Sequence, residues 1–284
     1  MRTLRVLFLL IISCYIIAFS GNNSASSAIE KVDLQLAEGQ LAFTFLDLSS
    51  GEATLLHHDN GETMLINTGG PGTEDEFRQL LEMYGITKLS SVIVTKEDPE
   101  YTSNLEWLTE NVAINKIVVG KHSSLHLSLE NKNFVAWKSG DTHEVLPGLS
   151  ISVLQEAENI NGSLGMDLLF SFGKHKLLFM TSSNNEVEQS ILSKQNLSSV
   201  NILKVADFAN RNGTSQHFIE EVNPQVAIIF QKRGVLPSQE VIERLHETWI
   251  DIYHTKQFGN ISIKCSSDDY EIITIPLESN GEVK

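Results

Sequence analysis

The groups in this chain suited to catalysis or metal binding are nine histidines, two cysteines and scattered carboxylates. His57 and His58 stand side by side near a turn, where two imidazoles could clip a surface metal; a solvated turn is the simpler expectation. His122 and His126 are four residues apart, with His143 not far on. Two imidazoles at that spacing on one helix face can hold zinc, but no third ligand is placed by a motif. Cys265 has no C-x-x-C partner and reads as a buried small hydrophobe. There is no Ser-His-Asp constellation, no phosphate loop and no nucleotide fingerprint.

The elements that would position such groups alternate between strand-like and helix-like segments, which argues for an α/β fold. Leu41–Leu48 reads as a strand, and Thr54–His58 and Glu62–Asn67 as two more joined at His58-Asp59-Asn60-Gly61. Asn-Gly signals a hairpin because both residues tolerate positive φ. Thr73–Tyr84 is the clearest helix. Phe77, Leu80, Leu81 and Tyr84 share one face, Thr73 and Glu76 are placed for a capping box, and Gly85 stops the helix. Ser91–Thr95 and Lys116–Val119 read as strands on either side of a helix over Ser103–Glu110. Later, Leu168–Phe172 and Leu177–Met180 pair across Gly173-Lys174. Strands at Ile202–Val205, Val226–Phe230, Ile250–Tyr253, Ile261–Cys265 and Glu271–Ile275 are interleaved with helices at Glu186–Ser193, Ser215–Val222 and Ser238–His246.

The first 28 residues have the layout of a secretory signal: basic Met1–Arg5, apolar Val6–Phe19, then small polar residues to Ala28. A cleaved signal, an uncleaved membrane anchor through residues 6–19, and a lipoprotein at Cys14 are the three open readings. Each places the protein outside the cytoplasm, secreted or in the cell envelope. The domain organisation read from the sequence is therefore 1–28 as signal peptide or anchor, 29–40 as linker, 41–277 as one domain and 278–284 as a C-terminal tail. With Cys14 in the leader, one thiol remains and no internal disulfide can form. The formal charge is −15, and −17 without the leader's Arg2 and Arg5. With no Lys/Arg run to offset it, such a field repels nucleic acid, so no nucleic-acid partner is expected.

Six segments in order resemble the metallo-β-lactamase superfamily, specifically the hydrolase domain of ComEC-type competence proteins. They are L-D-L-S-S-G-E-A-T-L-L from Leu46, L-I-N-T-G from Leu65, I-T-K-L-S-S-V-I-V-T from Ile86, Leu203-Lys204-Val205, P-Q-V-A-I-I from Pro224, and Y-H-T-K-Q-F-G from Tyr253. The resemblance covers roughly residues 40–277. It implies a four-layer αββα sandwich and, in the family, a T-H-x-H-x-D-H loop with further Asp and His residues holding two divalent metals. Such metals, about 4 Å apart, acidify a water and clamp the oxyanion of a cleaved bond.

This sequence departs from the family at those ligand positions. The loop histidines are matched by Lys96 and Asp98, the loop aspartate by Glu100 and the last loop histidine by Tyr101. Ser182 stands for the bridging aspartate, Asp207 and Phe208 for the paired histidines, Leu236 for the late histidine, and Asn67 for the aspartate after the third strand. An ammonium has no lone pair for a metal and repels a cation. The departures imply a non-catalytic protein on a hydrolase fold, without cofactor, and the leader adds export, with an envelope or extracellular protein or polymer as the expected partner. The residues expected to converge on the old pocket are Lys96, Asp98, Glu100 and Asp207, with Lys96 neutralising the acids as a fixed cation. The alternative is an active ComEC-like, phosphodiester-type hydrolase whose carboxylates hold calcium or magnesium.

Overall fold

The computed structural model describes residues 31–127, 129, 132–156 and 165–276. The leader, including residues 6–19 and Cys14, and the 278–284 tail lie outside the described residues. The strands are β1 (Leu41–Phe45), β2 (Thr54–His58), β3 (Thr63–Ile66), β4 (Lys88–Leu89), β5 (Ser91–Ile93), β6 (Ala113–Ile114), β7 (Ile117–Gly120), β8 (Phe134–Trp137), β9 (Thr142–Leu146), β10 (Leu149–Glu156), β11 (Met166–Phe172), β12 (His175–Phe179), β13 (Ile202–Lys204), β14 (Val226–Ile229), β15 (Asp251–His254), β16 (Asn260–Cys265) and β17 (Tyr270–Ile275). The helices are α1 (Glu74–Met83), α2 (Pro99–Thr102), α3 (Leu105–Asn111), α4 (Asn185–Lys194), α5 (Gln216–Val222), α6 (Gln239–Glu247) and α7 (Thr255–Phe258).

Two large sheets result, one ordered β17-β16-β1-β2-β3-β5-β7-β8 and the other β15-β14-β13-β12-β11-β10-β9. Period-two alternation explains how they stack. Phe43, Phe45, Leu56, Met64 and Ile66 of the first sheet meet Leu168, Phe170, Phe179 and Ile202 of the second in one core between the sheets. The intervening residues turn outward to helices. Leu55, Leu65 and Val92 pack against Phe77, Leu80 and Leu81 of α1 and Leu105 and Leu108 of α3. Leu169, Leu178, Leu203 and Ala227 pack against α4, α5 and α6. This is the expected αββα sandwich. Among the described residues, no helix is long and apolar enough to cross a membrane.

Two local expectations are corrected. The β2–β3 turn uses positive φ at Gly61 (82°) but not at Asn60, so only half of the Asn-Gly signal is used. The capping box at α1 does not form. The Thr73 hydroxyl donates to the Gly70 carbonyl at 2.7 Å, and Glu76 accepts from the Ser49 N–H at 2.7 Å. Both side chains are thereby diverted to tie α1 to the loops at the end of the sheet. Strands β4, β6, β8, β9 and β10 and the short helices α2 and α7 are additions to the elements read from sequence.

Candidate functional site

The C-terminal ends of two parallel runs, β3-β5-β7 and β12-β13-β14, lie at the same edge of the sandwich. Loops leaving these strands carry every residue that maps to a family ligand. Asn67 follows β3 and accepts from the Thr95 N–H at 2.8 Å, clamping the end of β5. Lys96 leaves β5 with its side chain only 3% exposed. Its Nζ lies 3.9 Å from Asp207 Oδ1 and 5.3 Å from the centre of the Tyr101 ring. Tyr101 is fully buried, and its hydroxyl donates to Asp207 Oδ1 at 3.5 Å. Burial, then the charges of Glu52, Asp207 and Asp98, hold its phenol well above the usual range, so it stays a neutral donor.

The four charges expected to converge divide into two groups. Lys96 reaches Asp207. Glu100 instead accepts from the Ser50 hydroxyl at 2.7 Å, with Lys232 Nζ at 3.9 Å from its other oxygen. Asp98 caps α2, accepting from the Glu100 N–H at 3.1 Å. The Asp-Pro-Glu order itself causes this, since proline at the first helical position follows a capping aspartate. The expected single cluster around Lys96 is therefore corrected to one ion pair, with a separate bridge at Glu100.

Ser182 is fully buried, with its hydroxyl between the N–H of Gly165 (3.1 Å) and its carbonyl (3.3 Å). Asp207, Phe208 and Ala209 all take left-handed φ of 43°, 58° and 60°. Phe208 is buried, 5.9 Å from the Tyr101 ring, and its burial helps hold this strained run in place. Leu236 is 81% exposed and forms part of the rim.

These residues do not fit a dinuclear metal centre. The pocket offers an ammonium, a neutral phenol and a phenyl ring where imidazoles would be needed. Among the described residues, no three His, Cys, Asp or Glu side chains are grouped so as to hold a metal ion. The histidines singled out from sequence lie elsewhere. His58 is buried in β2, with Nδ1 2.6 Å from Asp59 and Nε2 3.1 Å from the Pro147 carbonyl. Burial lowers His57 to about 4. The solvated turn is corrected to a buried strand, on which neighbouring side chains point to opposite faces. His122 pairs with Glu156 at 3.1 Å, and no α-helix forms there, only a 3-10 turn over Leu125–Leu127, so the shared face does not exist. The side chain of His126 is outside the described residues. His143 stacks on Trp137 at 4.3 Å. Cys265 is buried, and burial pushes its thiol up to about 12.

Beneath the pocket is a charged layer not singled out from sequence. Lys204 Nζ lies 2.6 Å from Glu52 Oε2 and 4.3 Å from the centre of the Phe179 ring. Asp167 accepts from the N–H groups of Thr181 (2.6 Å) and Ser182 (2.8 Å), fixing the β12 loop. The signal was available: Lys204 and Asp167 each interrupt an apolar strand, Ile202-Leu203-Lys204-Val205 and Met166-Asp167-Leu168-Leu169.

No protein-family profile matches the chain. It is 24% identical over 249 residues to Recombination protein 2 of Haemophilus influenzae, across 84% of this chain and 30% of that protein. The chain thus spans less than a third of that relative's length. Among solved structures it is similar to the metallo-β-lactamase fold protein YhfI from Bacillus subtilis, at TM-score 0.56 and 12% identity over 82% of this chain and 99% of that one. It is also similar to Igni18, a metallo hydrolase from Ignicoccus hospitalis, at TM-score 0.53 and 11% identity over 84% and 100%. Zinc-bound PqqB from Methylobacterium extorquens gives TM-score 0.53 and 10% identity over 76% and 97%. At these identities the likeness establishes architecture, and it agrees with the two stacked sheets and their outer helices: the chain has the metallo-β-lactamase fold.

Proposed function

We propose that this protein is an exported, non-catalytic pseudo-hydrolase that uses the metallo-β-lactamase fold to bind or to scaffold. One observation carries the reading: the buried Lys96 ammonium, 3.9 Å from Asp207, at a position where the family holds a metal-binding imidazole. A fixed cation there opposes a metal ion electrostatically and offers it no lone pair. Phe208 and Leu236 supply no donor atoms either. The basic and apolar leader supports export. The likeness to Recombination protein 2 supports a partner in a recombination-type assembly, and the acidic surface favours contact through an envelope protein or polymer over nucleic acid.

The test is hydrolysis of phosphodiester, lactam and thioester probes by the purified protein with added zinc, manganese, calcium or magnesium. No metal-dependent turnover is expected. Turnover that disappears in a Glu100→Ala, Asp207→Ala variant overturns the reading in favour of a rebuilt oxygen-ligated site. Intact-mass analysis of native protein tests export, with loss of about the first 20–28 residues expected on signal cleavage.

A further inference from the structure

At the mouth of the old pocket is a cavity of about 470 Å³ whose lining includes Asp207, Arg211, Lys232, Val235, Leu236 and Ser238. Its charge is opposite to that of the chain. Asp207 is the single acid on the lining, and it faces Lys96. Lys232 sits 3.9 Å from Glu100, whose other oxygen is held by Ser50. Arg211 is exposed and has no acidic side chain within ion-pair distance among the described residues. With Asp207 matched to Lys96 and Lys232 to Glu100, Arg211 leaves the lining with a positive excess, on a chain whose formal charge is −15.

Part of the lining is apolar. Val235 and Leu236 are 50% and 81% exposed, in a loop held by the Lys232–Val235 bridge. Beside a cavity, such exposed apolar side chains offer a surface that the apolar part of a ligand can cover. Ser238, also on the lining, precedes α6 without making a side-chain capping bond, so its hydroxyl is free to meet a ligand.

We propose that this cavity binds a small amphiphilic anion, a single carboxylate or phosphate-monoester head on a short apolar body. The head lies against Arg211, Lys232 and Ser238, and the body against Val235 and Leu236. The inference rests on the reading of this pocket as a binding site and not a catalytic one. A single-headed ligand fits the charge pattern better than a polyanion. The repulsive field of the acidic surface is screened beyond about 8 Å at physiological salt, so one head meets mainly the local cations. A polyanion would extend across the acidic surface.

The experiment is calorimetric titration of the whole purified protein, in the presence of a metal chelator, with octanoate, octyl phosphate, octylamine and inorganic phosphate. Octanoate, octyl phosphate or both should bind, the stronger of the two identifying the head group, while octylamine should not. Arg211→Gln with Lys232→Gln should weaken binding by at least about tenfold, because charge-assisted hydrogen bonds are lost. Leu236→Ser should weaken binding of the octyl ligands. All three positions are exposed or partly exposed, so the fold should tolerate these changes, and melting curves check that. The proposal is overturned if neither anion binds, if octylamine binds equally, or if the charge variant binds as the wild type does. Because metal is chelated, metal-dependent turnover in the hydrolysis assay would overturn the non-catalytic reading without altering this result.

Discussion

Lys204 Nζ and Glu52 Oε2 lie 2.6 Å apart with neither side chain exposed, against Phe179 in the core between the sheets. Burial pushes each toward its neutral form, Glu52 up to about 6 and Lys204 down, and their contact opposes both shifts. The other Glu52 oxygen has no hydrogen-bond partner. A pair of this kind fixes geometry more than it adds stability, because desolvation offsets much of the attraction. It joins the loop after β1 to the end of β13, and so aligns the two halves of the pocket.

Removing one partner strands the other. Lys204→Met and Glu52→Leu should each destabilise the protein by about 3–5 kcal/mol, while the double variant should cost far less than their sum. Denaturant melts of all four proteins measure this coupling, and simply additive costs would show that the pair is not a unit.

Lys96 and Asp207 form a looser contact, at 3.9 Å, with Asp207 20% exposed. Water reaches the acid, so the coupling should be smaller than at Lys204. Lys96→Ala should cost about 2–4 kcal/mol, from lost packing on Tyr101 as well as lost charge. Lys96→Met should recover much of the packing part. If Lys96→Ala melts with the wild type at neutral pH, Lys96 plays no structural part in the pocket.

Much of this fold was legible because its central strands are buried on both faces and its helices carry one apolar face. Val92-Ile93-Val94 and Val226-Ala227-Ile228-Ile229 are unbroken apolar runs, and Phe77, Leu80 and Leu81 recur at helical spacing. Strands β8 and β9 were not legible because each lies at the edge of its sheet, where Val135 and Val145 are only partly buried and polar residues fill much of β9. In β10 the buried Leu149, Ile151 and Val153 do alternate with Ser150 and Ser152, but serine is a weak strand former and masks the pattern. The position of Lys96 was legible from the family pattern, but its partners were not. Local capping by Asp98 and a hydrogen bond from distant Ser50 to Glu100 took two of the three expected carboxylates away. Contacts between residues 50 positions apart leave no mark in local spacing.

Gly51 shows how tightly those loops are joined. Its φ is +90°, and a Cβ there would meet the backbone of Gly69 and Gly70 and the Glu100 carbonyl. Its N–H donates to the Gln231 carbonyl at 3.0 Å, and the next N–H, of Glu52, donates to that of Glu100 at 3.0 Å. Backbone cannot move aside as a side-chain end can. Gly51→Ala should therefore destabilise the protein by about 2–4 kcal/mol, from overpacking and backbone strain together. A thermal melt matching the wild type would show that these loops can separate without cost.

Asp167 gives the protein a pH dependence of definite sign. Burial raises its carboxyl from an ordinary 3.8 to about 6, against the two backbone N–H groups that favour the charged form. A folded-state value above the unfolded one means that the native protein holds more protons through this window. Its stabilising effect is complete below about pH 4 and is lost as pH rises toward 6. A shift of about two units corresponds to about 3 kcal/mol. Glu52, raised from 4.5 to about 6, acts in the same direction. Asp167→Asn separates the two. Asparagine keeps an oxygen to accept from Thr181 and Ser182, and removes the charge whose Oδ2 has no partner. The variant should match the wild type near pH 4 and exceed it by about 3 kcal/mol at pH 7. The Glu52 contribution is common to both proteins and cancels in the difference. Denaturant melts from pH 4 to pH 7 decide the matter. Parallel stability curves would mean that Asp167 ionises in the fold as readily as in the unfolded chain.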